Sequence, residues 1–421
     1  MITMINEISS QIWKSIFRHM WPVNARLRSE VIISNVFLHI HPVKIYKDTL
    51  KITKTFGLGL ISFYLFIILT ITGILLMFYF IPHTEQAYHN MHDLEFAVSF
   101  GMIIRNMHRW AAHAMVAMAF LHMCRVFYTA AYREPREFNW VIGVILFLLT
   151  LLLSLTGYLL PWDQLAFWAT TIVSRIVGSM PYIGEKLRYL FIGGTIVGQN
   201  ALIRSYVLHV VLLPFITGIF ILVHFWRIRK DGGLARPETA MVQDEKDSEP
   251  IEDLKSYGLM NLVEGKTPQV SQEPEEMTTT WPHLLFFEIV LFILVTIVMM
   301  GLSVLFDAPL EEVANPAITP NPAKAPWYFL GVQELVSWSD PFWMGVFIPN
   351  IGIILLLLIP YLDRSQTGTG IWFHPSRRLQ NILFTTSAVI FIGLIIVGTF
   401  MRGPSWELYW PWQQWPTGNI H

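Results

Sequence analysis

Seven stretches of this 421-residue chain are apolar for about 20 residues each, the helical length needed to cross a bilayer core. By hydropathy they cover 57–80, 101–128, 138–160, 206–226, 281–306, 342–362 and 381–401. Lipid offers no hydrogen bonds, so each stretch must satisfy its backbone internally, and a helix does so. The sequence therefore predicts an all-α integral membrane protein with seven transmembrane helices. Composition agrees: 53% of residues are hydrophobic and 14% charged, little charge for a soluble chain of this length. The 16 tryptophans suit membrane interfaces, and a net charge of −1 gives no reason to expect nucleic acid as a partner.

Lys and Arg set the orientation. Arg18, Arg26, Arg28, Lys44, Lys47, Lys51 and Lys54 precede the first span. Arg133 and Arg136 follow the second, and Arg364, Arg377 and Arg378 lie between the last two. The opposite loops carry Glu85, Asp93 and Glu95, and then Asp307, Glu311 and Glu312. The positive-inside rule places the N-terminus in the cytoplasm, the negative side. The opening MITMINEISS lacks the basic and apolar regions of a cleavable signal.

Residues 231–280 are polar and charged and read as a cytoplasmic linker. They divide a four-helix half, 57–230, from a three-helix half, 281–421. Within the N-terminal segment 1–56, residues 11–20 place Ile12, Trp13, Ile16, Phe17 and Met20 on one helical face. That pattern fits a helix lying in the membrane interface, or one packed on another subunit.

Ionisable side chains inside a bilayer are costly and usually functional. The second span carries His108 and His122, 14 residues apart, and the fourth carries His209 and His224, 15 apart. At about 100° per residue these separations return to within roughly 40° and 60° of one face, and 14 residues rise about 21 Å. The second and fourth spans run in the same direction. His108 is therefore level with His209, and His122 with His224. Two imidazole pairs at two depths suit the axial ligation of two b-type haems. Imidazoles so far apart on one helix could not share a zinc or copper ion. His113 lies about 140° round the helix from His108 and reads as a packing or lipid-side residue.

Glycines repeat at the same interval, Gly59 and Gly73 in the first span and Gly143 and Gly157 in the third. They give a flat macrocycle room against the helices that do not ligate it, although ordinary small-residue packing would use them too. Arg105, Arg125 and Arg204 lie within a few residues of the histidines and could pair with haem propionates, Arg125 equally as a snorkelling anchor. The single cysteine, Cys124, cannot make an internal disulfide or hold an iron–sulfur cluster alone.

With these residues in view, the chain resembles cytochrome b of the Rieske/cytochrome b complexes. RNMHRWAAHAMVAMAFLHMCRVF, TGYLLPWDQLAFWATTIV, RSYVLHVVLLPFITGIFILVHF and APWYFLGVQELV carry the resemblance, which extends over about 45–410. HRW, LPWDQ and the 15-residue histidine spacing are similar to the chloroplast type, whose cytochrome b and subunit IV are here joined in one chain. The resemblance implies a quinol:cytochrome c oxidoreductase running a Q-cycle. Quinol is oxidised near the positive side, one electron going to a Rieske iron–sulfur protein and a c-type cytochrome. The other crosses the two haems to reduce quinone near the negative side. A homodimeric complex is implied as well. Tyr158, Trp162, Pro326, Trp327 and Tyr328 become residues of the quinol site, Asp163 a candidate for proton release, and Arg229 a residue of the quinone-reduction site.

The departures from the family matter. Gly57 stands where the chloroplast type attaches a covalent c-type haem through cysteine, so none is expected. The family's Pro-Glu-Trp-Tyr motif reads Ala325-Pro326-Trp327-Tyr328, without the glutamate that takes a proton from quinol. Glu334, two helical turns beyond Trp327, is the candidate to replace it, or else a surface carboxylate. Two other classes compete: a dihaem b-type anchor of another quinone-linked oxidoreductase, and a transporter with intramembrane histidines. The first lacks the second half of this chain, and the second would bind no haem.

Overall fold

Seven helices long and apolar enough to cross a membrane recur in the structure, a computed structural model. It describes residues 6–7, 9–11, 22–35, 38–231, 233–236, 277–363, 365 and 367–415. The expected interfacial helix, after its first residue, and most of the polar linker lie outside these.

The membrane-length helices are α1 (Leu58–Met77), α2 (Gly101–Tyr128), α3 (Glu137–Tyr158), α5 (Gln199–Lys230), α6 (Thr280–Leu305), α8 (Phe342–Leu362) and α9 (Pro375–Met401). Two shorter ones, α4 (Gln164–Gly178) and α7 (Trp327–Val336), cover the end of the molecule at which α2 and α5 begin. Hydropathy placed most boundaries within three residues. It missed the first two turns of α5, where QNALIRS is too polar to score as membrane but still winds into helix. Within α5, Leu208–Leu212 is a π turn. Pro214 follows and has no N–H to offer the preceding turn, which helps the ladder to reset there. His209 lies in that turn.

Apolar side chains face outward along the spans, among them Ile71, Phe215, Leu222, Phe286, Ile297 and Ile390. Lipid tails solvate such a surface, so helices do not associate within a bilayer by the hydrophobic effect, and packing and polar ties must hold them. The packing is clear where Tyr64, Leu65 and Ile68 of α1 meet Met107, Ala111 and Met115 of α2, with Val295 and Met299 of α6 behind them. The polar ties join the two halves. Asn106, fully buried, donates to the Ser303 carbonyl at 3.0 Å and accepts from the Ala308 N–H at 2.8 Å.

Further ties flank both ends of the spans. Where α1 begins, Lys44–Tyr46 pairs antiparallel with Met277–Thr279, so the segment before the first half and the approach to the second form a two-stranded ribbon. On the same side Asp363 sits among Tyr132, Arg133 and Arg377. At the opposite end Asp163 bridges to Val313, and Gln164 N–H donates to the Glu312 carbonyl at 2.8 Å.

Candidate functional site

Antiparallel succession through α3 leaves α2 and α5 running the same way, which sets their histidines level. The ring centroids of His108 and His209 are 6.1 Å apart, with planes at 75°. Those of His122 and His224 are 6.4 Å apart, at 82°. Two imidazoles that ligate one metal ion from opposite sides, at about 2.0–2.1 Å each, hold their centroids roughly 6.3 Å apart. Both pairs fit that span.

At the His108–His209 level the remaining ring nitrogens are held by the neighbouring helices. His209 Nδ1 is 3.0 Å from the Leu153 carbonyl, and His108 Nδ1 is 2.9 Å from Thr72 Oγ1. Thr72 gives its own proton to the Ile68 carbonyl at 2.7 Å, so it is placed to accept from the ring. An imidazole whose Nδ1–H is fixed in this way presents the Nε2 lone pair to a metal. Among the described residues, no group of three or more metal-ligating side chains gathers.

The four glycines stand directly against the four imidazoles rather than merely near a macrocycle plane. A Cβ at Gly157 would lie 2.5 Å from His209 Cε1, one at Gly59 3.1 Å from His122 Cε1, and one at Gly73 3.2 Å from His108 Cε1. At Gly143 the distance to His224 is a comfortable 3.7 Å. Three of the four glycines, Gly59, Gly73 and Gly157, are thus required sterically by the imidazole on the facing helix.

The three arginines differ. Arg125 is buried and spends its Nε on the Lys54 carbonyl at 3.0 Å, and among the described residues no carboxylate pairs with it. A buried cation without an anion is costly, so the position suits a propionate three residues beyond His122. Arg105 donates to the Ala308 and Pro309 carbonyls at 2.8 and 3.0 Å and lies 3.5 Å from Glu95. It ties α2 to the loop after α6. Arg204 donates to the carbonyls of Tyr189 and Leu190.

Beyond the His108 level, α7 brings Trp327 and Tyr328 against α2 behind Pro326, which caps the helix. Trp327 Nε1–H donates to His113 Nδ1 at 2.9 Å, and the His113 and Tyr328 ring centroids are 5.7 Å apart. His113, read from the sequence as a packing or lipid-side residue, packs against α7. Helical phase showed where the ring points but not what stands there. Tyr158 ends α3 beneath Arg109, whose guanidinium carbon is 5.0 Å from the ring centroid. Trp162 is buried with a left-handed backbone.

Two carboxylates singled out from the sequence have structural duties here. Asp163 caps α4 by accepting from the Ala166 N–H at 2.8 Å and also accepts from the Glu311 N–H at 3.3 Å. Burial raises its carboxyl above the ordinary value, although those two amides oppose the shift. Glu334, the candidate to replace the motif glutamate, is fully buried. It pairs with Arg402 at 2.6 Å and accepts from the indole N–H groups of Trp338 and Trp406 at 2.9 and 3.1 Å. Burial favours its neutral form, but the Arg402 and indole hydrogen bonds outweigh that and hold it below the usual carboxylate range. A carboxylate so occupied is a poor proton acceptor for a ligand.

At the other end, Arg229 donates to the His39 carbonyl. Close by, His41 Nε2 meets Glu288 of α6 at 3.1 Å, both side chains largely buried. Burial works against the charged imidazole of His41, but Glu288 outweighs it and the net shift is upward. This pair could not be read from a sequence that separates its members by 247 residues.

Residues 43–232 match the cytochrome b/b6/petB family, and 313–410 match cytochrome b (C-terminal)/b6/petD. Cytochrome b6 of Porphyra purpurea is 44% identical over 175 residues, 42% of this chain and 81% of the relative. Cytochrome b6 of Heliomicrobium gestii is 43% identical over 192 residues, 46% of this chain and 88% of the relative. Among solved structures, a chain of a hyperthermophilic respiratory complex III matches with a TM-score of 0.66 and 26% identity, covering 82% of this chain and 84% of that one. The chain belongs to the cytochrome b/b6 family. It is an integral membrane protein that binds b-type haem, and it is the cytochrome b subunit of a membrane quinol oxidoreductase.

Proposed function

We propose that this chain is the dihaem subunit of a bc-type quinol:cytochrome c oxidoreductase running a Q-cycle. It would work as a dimer with a Rieske iron–sulfur protein and a c-type cytochrome. The observation that carries the reading is the two-level imidazole arrangement, with centroids 6.1 and 6.4 Å apart on helices that run the same way. Haem at each level supplies a one-electron carrier, and two levels supply transfer across most of the bilayer.

The chain's own residues do the rest. His108 with His209, and His122 with His224, hold iron, and Gly59, Gly73, Gly143 and Gly157 admit the rings. Arg125 neutralises a propionate at the second level, while Arg105 and Arg204 border the first. Quinol binds on the positive side against Tyr158, Trp327 and Tyr328, under the cover of α4 and α7. Quinone is reduced on the cytoplasmic, negative side near Arg229. The order of parts follows: an N-terminal segment, a four-helix half, a polar linker and a three-helix half.

No covalent haem is assigned. Gly57 has φ +65°, and a Cβ there would lie 2.8 Å from Leu291 Cδ2. A thioether-bearing cysteine at that position would be both strained and crowded.

A dithionite-minus-oxidised spectrum with a pyridine haemochrome assay tests the reading. Two b-type haems per chain are expected, titrating as separate components. No haem would leave the transporter, a single haem would break the pairing, and a c-type signal would overturn the argument from Gly57.

A further inference from the structure

Oxidising a quinol releases two protons with its two electrons, so the site needs a base within hydrogen-bond reach of a hydroxyl. The carboxylates beside α7 are committed, Glu334 to Arg402 and two indoles, Asp163 to backbone amides. His113 is placed differently. Its Nδ1 faces Trp327 Nε1–H at 2.9 Å, and its Nε2 faces Arg109 Nε–H at 3.1 Å. Indole and guanidinium nitrogens only donate. A neutral imidazole has one lone pair and one N–H, so it can satisfy one of these neighbours and not both. The ring therefore stands among one donor too many. An oxygen-bearing ligand can take over one of the donors: a lone pair of its oxygen accepts from Trp327, and Nδ1, when it is the nitrogen with the lone pair, then accepts the ligand's O–H. Trp327 is 36% exposed, which gives such a ligand a way in.

We propose that His113 is the proton acceptor for quinol oxidation in this chain, in the absence of a carboxylate at Pro326. The inference rests on the quinol-oxidising reading above. In the step, a quinol O–H bond breaks and its proton passes to an imidazole nitrogen of His113. The second proton leaves toward the iron–sulfur partner. One electron reduces that partner's cluster, the other the carrier at the His108–His209 level, and the quinol becomes quinone. The charged and titratable groups about the ring are Arg109 on α2 and Tyr328 on α7. Across Arg109 stand Tyr158 at the end of α3 and Asp163 at the start of α4.

The test uses the whole purified complex carrying His113→Gln, which keeps a hydrogen-bonding side chain but cannot take up a proton near neutral pH. Quinol oxidation is followed from pH 4 to 9. The wild type should lose rate on the acid side, as protonation removes the lone pair of the His113 imidazole. The variant should lose that acid limb, with kcat down about 100-fold, as general-base removal typically costs. KM should move only a few-fold, and the b-haem spectrum should be unchanged. Adding Pro326→Glu, the position of the family's glutamate, to His113→Gln should restore at least tenfold of the rate and bring back an acid limb.

A His113→Gln complex that keeps its kcat and acid limb overturns the proposal. So does one that loses rate while its haem spectrum changes and its pH profile does not, since that marks a merely structural residue. A wild-type complex with both haems that oxidises no quinol would overturn the broader reading and this one with it.

Discussion

Replacing Asp363 with Asn should loosen the joint between the two halves more than any other single polar change. The carboxylate accepts from Arg133 at 2.9 and 3.0 Å, from Arg377 at 3.1 Å and from the Tyr132 hydroxyl at 2.6 Å. The Arg133 and Arg377 side chains are each 1% exposed, so neither cation can turn to water once the anion is gone. Removing one partner of a buried pair costs about 3–5 kcal/mol, most of it the penalty of the charge left behind. For a chain of this size the apparent transition should fall by on the order of 10 °C. Thermal loss of the haem absorbance band, measured on the detergent-purified protein at pH 7, reads this directly. Exchanging all three charges for apolar residues of similar volume (Arg133→Met, Asp363→Leu and Arg377→Met together) should recover most of the loss, because no orphan charge then remains. The cluster also carries a pH signature. Burial favours the neutral acid, but Tyr132, Arg133 and Arg377 outweigh it and hold Asp363 below the ordinary 3.8. Its stabilisation is therefore complete above that value and is lost as pH falls through the lower folded value. A fall of less than about 2 °C for Asp363→Asn would refute the reasoning, because the guanidinium groups would then have found water.

Three more outcomes are expected. In a glycine series scored by haem per chain, Gly157→Ala should lose about one haem, because its Cβ would overlap His209 at 2.5 Å. Gly143→Ala, with 3.7 Å of room, should keep both. Glu334→Gln should leave the pH profile of quinol oxidation unchanged while lowering thermal stability by about 2–3 kcal/mol, through loss of the charge that Arg402 and two indoles surround. The His41–Glu288 pair should stabilise the protein fully below pH 6.5, the ordinary imidazole value, and fade as pH rises through the raised folded value. Stability scans of Glu288→Gln should lack that dependence.

The spans were legible because a bilayer-crossing helix is written in a contiguous run of side chains, and α2 and α8 begin and end where hydropathy put them. The histidine levels were legible for a related reason, since helical rise and phase convert spacing into depth and face. What the sequence hid was pairing across distance. Arg133 and Arg377 read as topology signals because their charge is visible locally, whereas the carboxylate that neutralises both lies 230 residues from one of them. Glu334 shares a helix with Trp327, but its partner Arg402 comes from beyond α9, and no periodicity reports that. His113 fell between the two cases. Its direction was computable, but α7, which stands opposite, is 214 positions further on.

The ribbon between Lys44–Tyr46 and Met277–Thr279 bears on how such a chain can be encoded. It joins the lead-in of one half to the lead-in of the other, on the face of the molecule where Asp363 also bridges them, while the Asp163–Val313 bridge clasps the far end. The cytochrome b6 relatives match 42% and 46% of this chain. A single polypeptide makes the meeting of the halves intramolecular and raises their effective concentration, without adding a contact that two separate chains could not make. Because both seams close through side chains and strand pairing, one gene or two can specify the same assembly, and fusion changes how fast and how faithfully the halves find each other.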